Sequence, residues 1–373
     1  MKRFALLLSI SLLAACGSHL PNHQQTPFIK QLYSQTASDH LAVDSQLQQR
    51  ILLLGDAGHS SIEPLQASLA KAQERASQFA DKTAIVMLGD NIYYFGFPNK
   101  EQGQTEYTES QLEDISHLEA QLSIAKNSGA EMFVVPGNHD WYATQVDSQA
   151  AYVEQYAIDN NTRATFAPHS LGQAPMPEVL HRNGVSLVFL DTMWMIKADE
   201  AQYQLAMMKL NELLKATQQN HPDNIVLVSG HHPIETMGPH NKYYTSAVYK
   251  AFISVLSLFT ENDQDTDHPN YRRLIEGIEL TLARYPKAIY AAGHEHSLQV
   301  FKDGEDKSPQ YRLVSGAANS SKVTGVGTND NSLFALAQEG FMEIDIFNEQ
   351  IVLRVFSINQ QQAVFETRLF SNQ

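Results

Sequence analysis

One cysteine in 373 residues leaves no partner for an intrachain disulfide, so a cross-linked secreted scaffold is excluded. No uninterrupted apolar run of about 18 residues occurs, which excludes a chain that crosses a membrane repeatedly as helices. Basic residues are scarce: 26 Lys and Arg stand against 41 Asp and Glu, for a formal charge of −15, with no basic block beyond the first three residues. A nucleic-acid partner, whose footprint is a basic stripe, is not expected. What is present is a globular composition, 43% hydrophobic and 18% charged, with ample material for a large core.

The lone cysteine has an informative setting. Met1, Lys2 and Arg3 precede a mostly apolar run, Phe4 to Leu13, followed by Ala14, Ala15 and Cys16. A short basic region, an apolar region and small residues before a cut site form a secretory signal pattern, too short to span a bilayer. Leu13-Ala14-Ala15-Cys16 resembles a bacterial lipobox, which implies removal of residues 1–15 and lipidation of Cys16. Multiple acyl chains on one residue anchor stably where a single chain does not. Gly17 is similar to the residue found there in Gram-negative lipoproteins sent to the outer membrane. The expectation is a lipid-anchored protein of a bacterial cell envelope, facing the periplasm or the surface. Residues 16–46 are polar, with Pro21, Pro27 and many Gln and Ser, and read as a tether. Phe28, Ile29, Leu32 and Tyr33 give that tether enough apolar surface to pack on a domain.

From about residue 47 short apolar runs recur, each leading to a polar cluster: Ile51–Leu54, Ala84–Leu88, Met132–Val135, Val185–Leu190, Ile225–Val228 and Ala288–Ala292. Runs of this length, rich in Ile, Val and Leu with little alternation, suit strands buried on both faces. Helical patterns separate them, over 62–79, 112–127, 202–214 and 271–284, which implies βαβ units and a largely parallel sheet. After Gly293 the runs 298–301, 311–314, 341–347, 351–357 and 364–370 alternate more and read as a second, antiparallel-rich sheet. No linker interrupts this order, so residues 47–373 are expected to form one α/β domain with mixed sheets. The acidic stretch Glu261–Asp267 reads as an exposed loop. It lacks the turn glycine and closing Glu of a calcium loop.

Five of the six principal strand ends carry metal-competent side chains beside a glycine: Asp56, Asp90, Asn138 with His139, His231, and His294 with His296. In parallel α/β sheets ligands bind beyond the carboxyl ends of strands, so five such ends in order point to one polynuclear metal site. The series GDxG (Asp56), GDxxY (Asp90, Tyr93), GNHD (Asn138, His139), VxxH (Val228, His231) and GHxH (His294, His296) resembles the five-block signature of purple acid phosphatases, a branch of the calcineurin-like metallophosphoesterases. Leu313–Ala317 is similar to a later segment of their small members. The generic superfamily usually has Asp-x-His in the first block; here that place is Gly58, and Tyr93 supplies the donor instead.

The resemblance implies a four-layer α-β-β-α sandwich and two adjacent metals. Asp56, Asp90, Tyr93 and His296 would hold the first; Asp90, Asn138, His231 and His294 the second, with Asp90 bridging. Carboxylates and a phenolate suit Fe(III), whereas imidazoles with an amide suit a divalent ion such as Fe(II), Zn or Mn. The implied activity is acid phosphatase-like hydrolysis of phosphomonoesters, on phosphorylated small molecules or phosphoproteins, by in-line attack of an activated water. A phosphodiesterase or nucleotide pyrophosphatase on the same core is one alternative, and a non-catalytic surface lipoprotein another. His139 would face the phosphate and serve the leaving group. His240, nine residues after His231, resembles the second substrate-side histidine of the small mammalian-type enzymes; an exposed loop histidine is its other reading.

Several neighbours carry two readings. Asp140 either orients His139 or caps a turn; Asn91 either contacts substrate or closes one. His59 is a spare ligand or a rim residue. Tyr94, Phe95, Phe97, Trp141 and Tyr142 form a pocket wall or ordinary packing. His232 is expected to point away from the metals, and Asp191 to be supporting structure.

Overall fold

The apolar runs pair into two mixed sheets in the computed structural model, which describes residues 26–31, 46–142, 146–169, 171–242, 263–304 and 307–370. The expected signal segment, Cys16, most of the tether, and Glu261 and Asn262 lie outside the described residues. One sheet takes β2 (Leu47–Leu54), β3 (Thr83–Leu88), β4 (Glu131–Val135) and β5 (Arg163–Phe166) in parallel. Beside β2 it continues antiparallel through β13 (Gly340–Phe347), β14 (Ile351–Ser357) and β15 (Phe365–Leu369). The other sheet centres on parallel β7 (Val185–Phe189), β8 (Ile225–Ser229), β9 (Ala288–Ala292) and β11 (Tyr311–Ser315). It adds β10 (Leu298–Lys302), β12 (Ser332–Leu336) and β1 (Phe28–Ile29) on one side and β6 (Glu178–Arg182) on the other, all antiparallel.

This corrects one expectation. The parallel strands do not share a sheet; they divide between two, and the later antiparallel strands extend both. Apolar runs identify strands but carry no record of which partner each one takes.

Alternation along the strands builds the layers. Leu53, Val86 and Phe133 are neighbours in one sheet, Leu187, Leu227 and Ile289 in the other, and all six lie in the core between the sheets. The rings of Phe133 and Phe189 meet across that interface with centroids 4.8 Å apart. The opposite face, with Leu52, Leu54, Ile85 and Met87, is covered by α1 (Ala67–Gln78), α2 (Glu109–Ser128) and α4 (Val146–Asn160). Val226 and Val228 face α6 (Glu200–Asn220) and α7 (Pro269–Leu282) on the other outer side. The result is the α-β-β-α sandwich. Local chemistry fixes the helix ends. Thr108 and Gln111 form a capping box at the start of α2, and Gly129 stops it in a left-handed conformation. Asp199 caps α6. No helix among the described residues is long and apolar enough to cross a membrane.

Candidate metal centre

Three adjacent strand ends in one sheet meet two adjacent strand ends in the other. Asp56 follows β2, Asp90 follows β3, and Asn138 follows β4 at the start of the short helix α3 (Asn138–Tyr142). His231 follows β8, while His294 and His296 follow β9. Asp56, Asp90 and His294 all have positive φ, at 62°, 53° and 67°. Non-glycine residues adopt that region at a cost, and such strain concentrates at functional sites. The backbone there is drawn in very tightly. A Cβ on Gly137 would lie 2.3 Å from both the backbone nitrogen and Oδ1 of Asp90, so only glycine fits.

The donors gather in two overlapping groups. In the first, the Tyr93 hydroxyl donates to Asp56 Oδ1 at 3.0 Å and lies 3.2 Å from His296 Nε2, which is 3.3 Å from the same carboxylate. Asp56, Asp90 and His296 each offer an atom within 4.8 Å of the others. In the second, Asn138 Oδ1 lies 2.9 Å from His231 Nε2 and 3.1 Å from His294 Nδ1, and those two nitrogens are 3.2 Å apart. Asp90 Oδ1 is 3.4 Å from His231 Nε2, which joins the groups. All seven residues expected from the sequence are therefore brought together.

Each imidazole is turned by a backbone carbonyl. The far nitrogens of His231, His296 and His294 face Leu88 O at 2.8 Å, Lys322 O at 2.8 Å and Gln264 O at 3.3 Å. With the N–H committed there, the near nitrogen presents a lone pair inward, the arrangement that orients metal-ligating histidines. Lone pairs and carboxylates then converge on one space, a donor set suited to metal ions. Residues present therefore fit two adjacent metal ions. Without a cation, burial and then the charges of Asp56 and Asp90 hold the Tyr93 phenol well above its ordinary range.

Gly58 explains the exchange of donors between the first two blocks. A Cβ at that position would lie 2.7–2.8 Å from Asp90 O and the backbone nitrogens of Ile92 and Tyr93. Tyr93 N donates to Gly58 O at 3.1 Å, so the chain carrying Tyr93 occupies the space that a larger side chain would need.

The remaining candidates separate. His139 lies at the mouth, its Nδ1 on Tyr94 O at 2.8 Å and its Nε2 3.9 Å from Asp90 Oδ2. Asp140 does not orient it. That buried carboxylate accepts from Gly137 N, Asn91 N and Asn91 Nδ2, and burial and then Asp90 push it up to about 7. Asn91 closes its turn by also donating to Val135 O. The His240 ring stacks on His294 with centroids 4.0 Å apart, which makes it a site residue and not an exposed loop histidine. Burial pushes its imidazole down, but Asp265 and Glu295 more than offset this and hold it above the ordinary value.

His59 stands beside Tyr93 and Tyr94 as a rim residue, lowered to about 4 by burial and then by Lys322. His232 turns away, between Thr192 Oγ1 and Gln264 Oε1. Asp191 caps α5 (Thr192–Lys197) and holds the Trp141 indole N–H. Phe97 packs in the core against Tyr107 and Tyr152.

The acidic stretch differs from expectation. Its described part, Asp263–Asp267, is solvated only in part: Asp267 is exposed, but Gln264 is buried against His232 and His294, and Asp265 faces His240. Sequence reasoning also missed Thr192, whose hydroxyl accepts from both His231 N and His232 N, and Glu295, which accepts from His240 N at 2.9 Å. Glu295 lies between two expected ligands and was legible as a candidate; the orienting carbonyls carry no sequence signature.

The layers and the converging donors define a two-sheet sandwich with a candidate metal centre at its strand ends. Residues 49–298 match the family described as calcineurin-like phosphoesterase, and the chain belongs to that family. Metal-dependent phosphoester hydrolysis is the chemistry of the domain. Among solved structures it is similar to "GAP50 the anchor in the inner membrane complex of Plasmodium", at 16% identity and a TM-score of 0.56 over 88% of this chain and 90% of that one. A dimetal phosphatase from Danio rerio matches at 11% identity and a TM-score of 0.50, over 87% of this chain and 100% of the other. PhoD matches at 12% and 0.50, over 88% and 72%. These likenesses concern the fold. No curated protein matches the chain.

Proposed function

We propose that this phosphoesterase is a phosphomonoesterase of the purple acid phosphatase type. Fe(III) would be held by Asp56, Asp90, Tyr93 and His296, and a divalent ion by Asp90, Asn138, His231 and His294. The observation that carries this reading is the Tyr93 hydroxyl within 3.2 Å of both Asp56 Oδ1 and His296 Nε2. A phenol in a set with two carboxylates favours a hard trivalent cation, whereas the imidazole and amide set favours a divalent one. When bound, the paired cations would supply charge neutralisation and a water activated near neutral pH.

The chain's own residues do the rest. His139 keeps its Nδ1–H on the Tyr94 carbonyl, which fixes the ring and leaves Nε2 toward the mouth for a phosphate oxygen or the leaving group. His240, stacked on His294, is held by Glu295 at its backbone nitrogen and Asp265 at its ring. Two histidines at the rim of a cationic centre suit a phosphate dianion.

The purified, metal-loaded protein is expected to cleave a phosphomonoester in preference to a bis-aryl phosphodiester, and to contain iron with the absorption band of a tyrosine-bound ferric ion. Preference for the diester would favour the phosphodiesterase reading. His139→Ala is expected to lower turnover by about 10²–10⁴-fold while leaving metal content intact. Loss of iron in that variant would make His139 a ligand instead. The mature chain is further proposed to carry lipid on Cys16 and to hold its domain, residues 47–373 with the Phe28–Ile29 strand of the tether joined to its second sheet, at a bacterial envelope membrane, the outer one. Metabolic labelling with a fatty acid, absent from Cys16→Ser, tests this.

A further inference from the structure

The mouth of the centre is walled by aromatic rings that the fold does not bury. Tyr94 and Tyr142 are 53% and 44% exposed, on a protein whose other aromatic residues supply much of its core. Tyr94 and Tyr142 contact His139, with ring centroids 5.9 and 4.7 Å from the imidazole. Both hydroxyls are pinned. Lys322 Nζ donates to the Tyr94 hydroxyl at 2.7 Å and lies over that ring, 3.9 Å from its centroid; Asn138 Nδ2 donates to the Tyr142 hydroxyl at 2.9 Å. The backbone is held too, because Tyr94 O accepts from His139 Nδ1 and Lys322 O from His296 Nδ1. Tyr94, held at its hydroxyl and its carbonyl, and Tyr142, held at its hydroxyl, stand beside the residue assigned to the leaving group as a preorganised aromatic wall. Exposed rings in such a place are paid for in hydration unless something covers them during the working cycle.

We infer that the leaving group of the substrate carries a planar aromatic ring that stacks against Tyr94, so Tyr94 is a specificity-determining residue. The inference rests on the phosphomonoesterase reading for the position of the phosphate. Two sources share this chemistry: an aryl phosphate, with the ring on the scissile oxygen, and a nucleotide, with the ring one sugar away.

Calorimetric binding of paired ligands to the metal-loaded protein separates them. Phenylphosphonate against methylphosphonate reports the first source, and AMP against ribose 5-phosphate the second. In at least one pair the ring-bearing ligand is expected to bind about tenfold tighter, the scale of one stacking contact. Tyr94→Ala should abolish that advantage and Tyr94→Phe should restore it, with metal content unchanged in both. Equal affinities within both pairs would overturn the inference, as would an advantage that survives Tyr94→Ala. A protein that prefers the ring-bearing ligand but cleaves diesters and not monoesters would overturn the phosphomonoesterase reading and leave the Tyr94 stacking contact standing.

Discussion

Asp90→Ala is expected to empty both proposed metal positions and reduce hydrolysis to background, a larger loss than the roughly 10²–10³-fold that follows removal of one electrostatic contact. The reason is placement. Its carboxylate belongs to the cluster with Asp56 and His296, and its Oδ1 also lies 3.4 Å from His231 Nε2 while accepting from His139 N at 2.9 Å. One side chain thus serves both donor groups and the short helix α3 that carries Asn138. Asp90→Asn separates the contributions, since it keeps the acceptor oxygen and removes the charge needed to hold two cations together. Elemental analysis of the two variants is the check. A variant that retains two metals per chain would show that Asp90 does not bridge.

The second large effect lies away from the site, on the outer face of the β2–β13–β14 strands. Arg50 is fully buried and donates two hydrogen bonds to Asp345, at 2.8 and 2.9 Å, with Glu343 3.4 Å away. Arg75 from α1 reaches Glu343, and Arg354 reaches both acids and Glu366. Asp345→Asn would leave Arg50 buried without its bidentate partner, which is expected to cost about 3–5 kcal/mol. Burial raises the Asp345 carboxyl, but its hydrogen bonds and the charges of Arg50 and Arg354 outweigh this and hold it below the usual carboxylate range. A carboxylate depressed in the folded state stabilises above its unfolded value of about 3.9 and loses that contribution as pH falls toward its folded value. Thermal unfolding between pH 7 and 3 should therefore show a lower Tm at neutral pH for Asp345→Asn, and a shallower decline on acidification than for the parent. Parallel curves would assign the acid limb to other groups.

Much of the centre was legible because its chemistry is written at strand ends. A buried run that stops at glycine and then Asp, Asn or His is a local pattern, and Asp56, Asp90, Asn138, His231 and His294 all follow it, with His296 two residues beyond. The sheet partners were not legible, since a strand such as β9 shows the same apolar run whichever neighbour it takes. Arg50 follows two glutamines, and Glu343 and Asp345 alternate with Met342, Ile344 and Ile346; no residue pattern there separates a buried network from an exposed face, and only α1 packing over them makes the network. Gln264 was hidden in a stretch whose charge suggests water on every side, yet its position against His232 and His294 is set by tertiary contacts. The Leu88, Lys322 and Gln264 carbonyls leave no trace in residue identity.

The partition of parallel strands between two sheets gives the centre an unusual mechanical character. Four of its seven donors ride on one slab and three on the other, and the slabs touch through side chains such as Phe133 and Phe189. A bound metal pair would act as a rivet through both plates. Slippage of one plate by a single residue would scatter the donors, so faults in the distant interlayer filling would register first as a loosened grip on the ions.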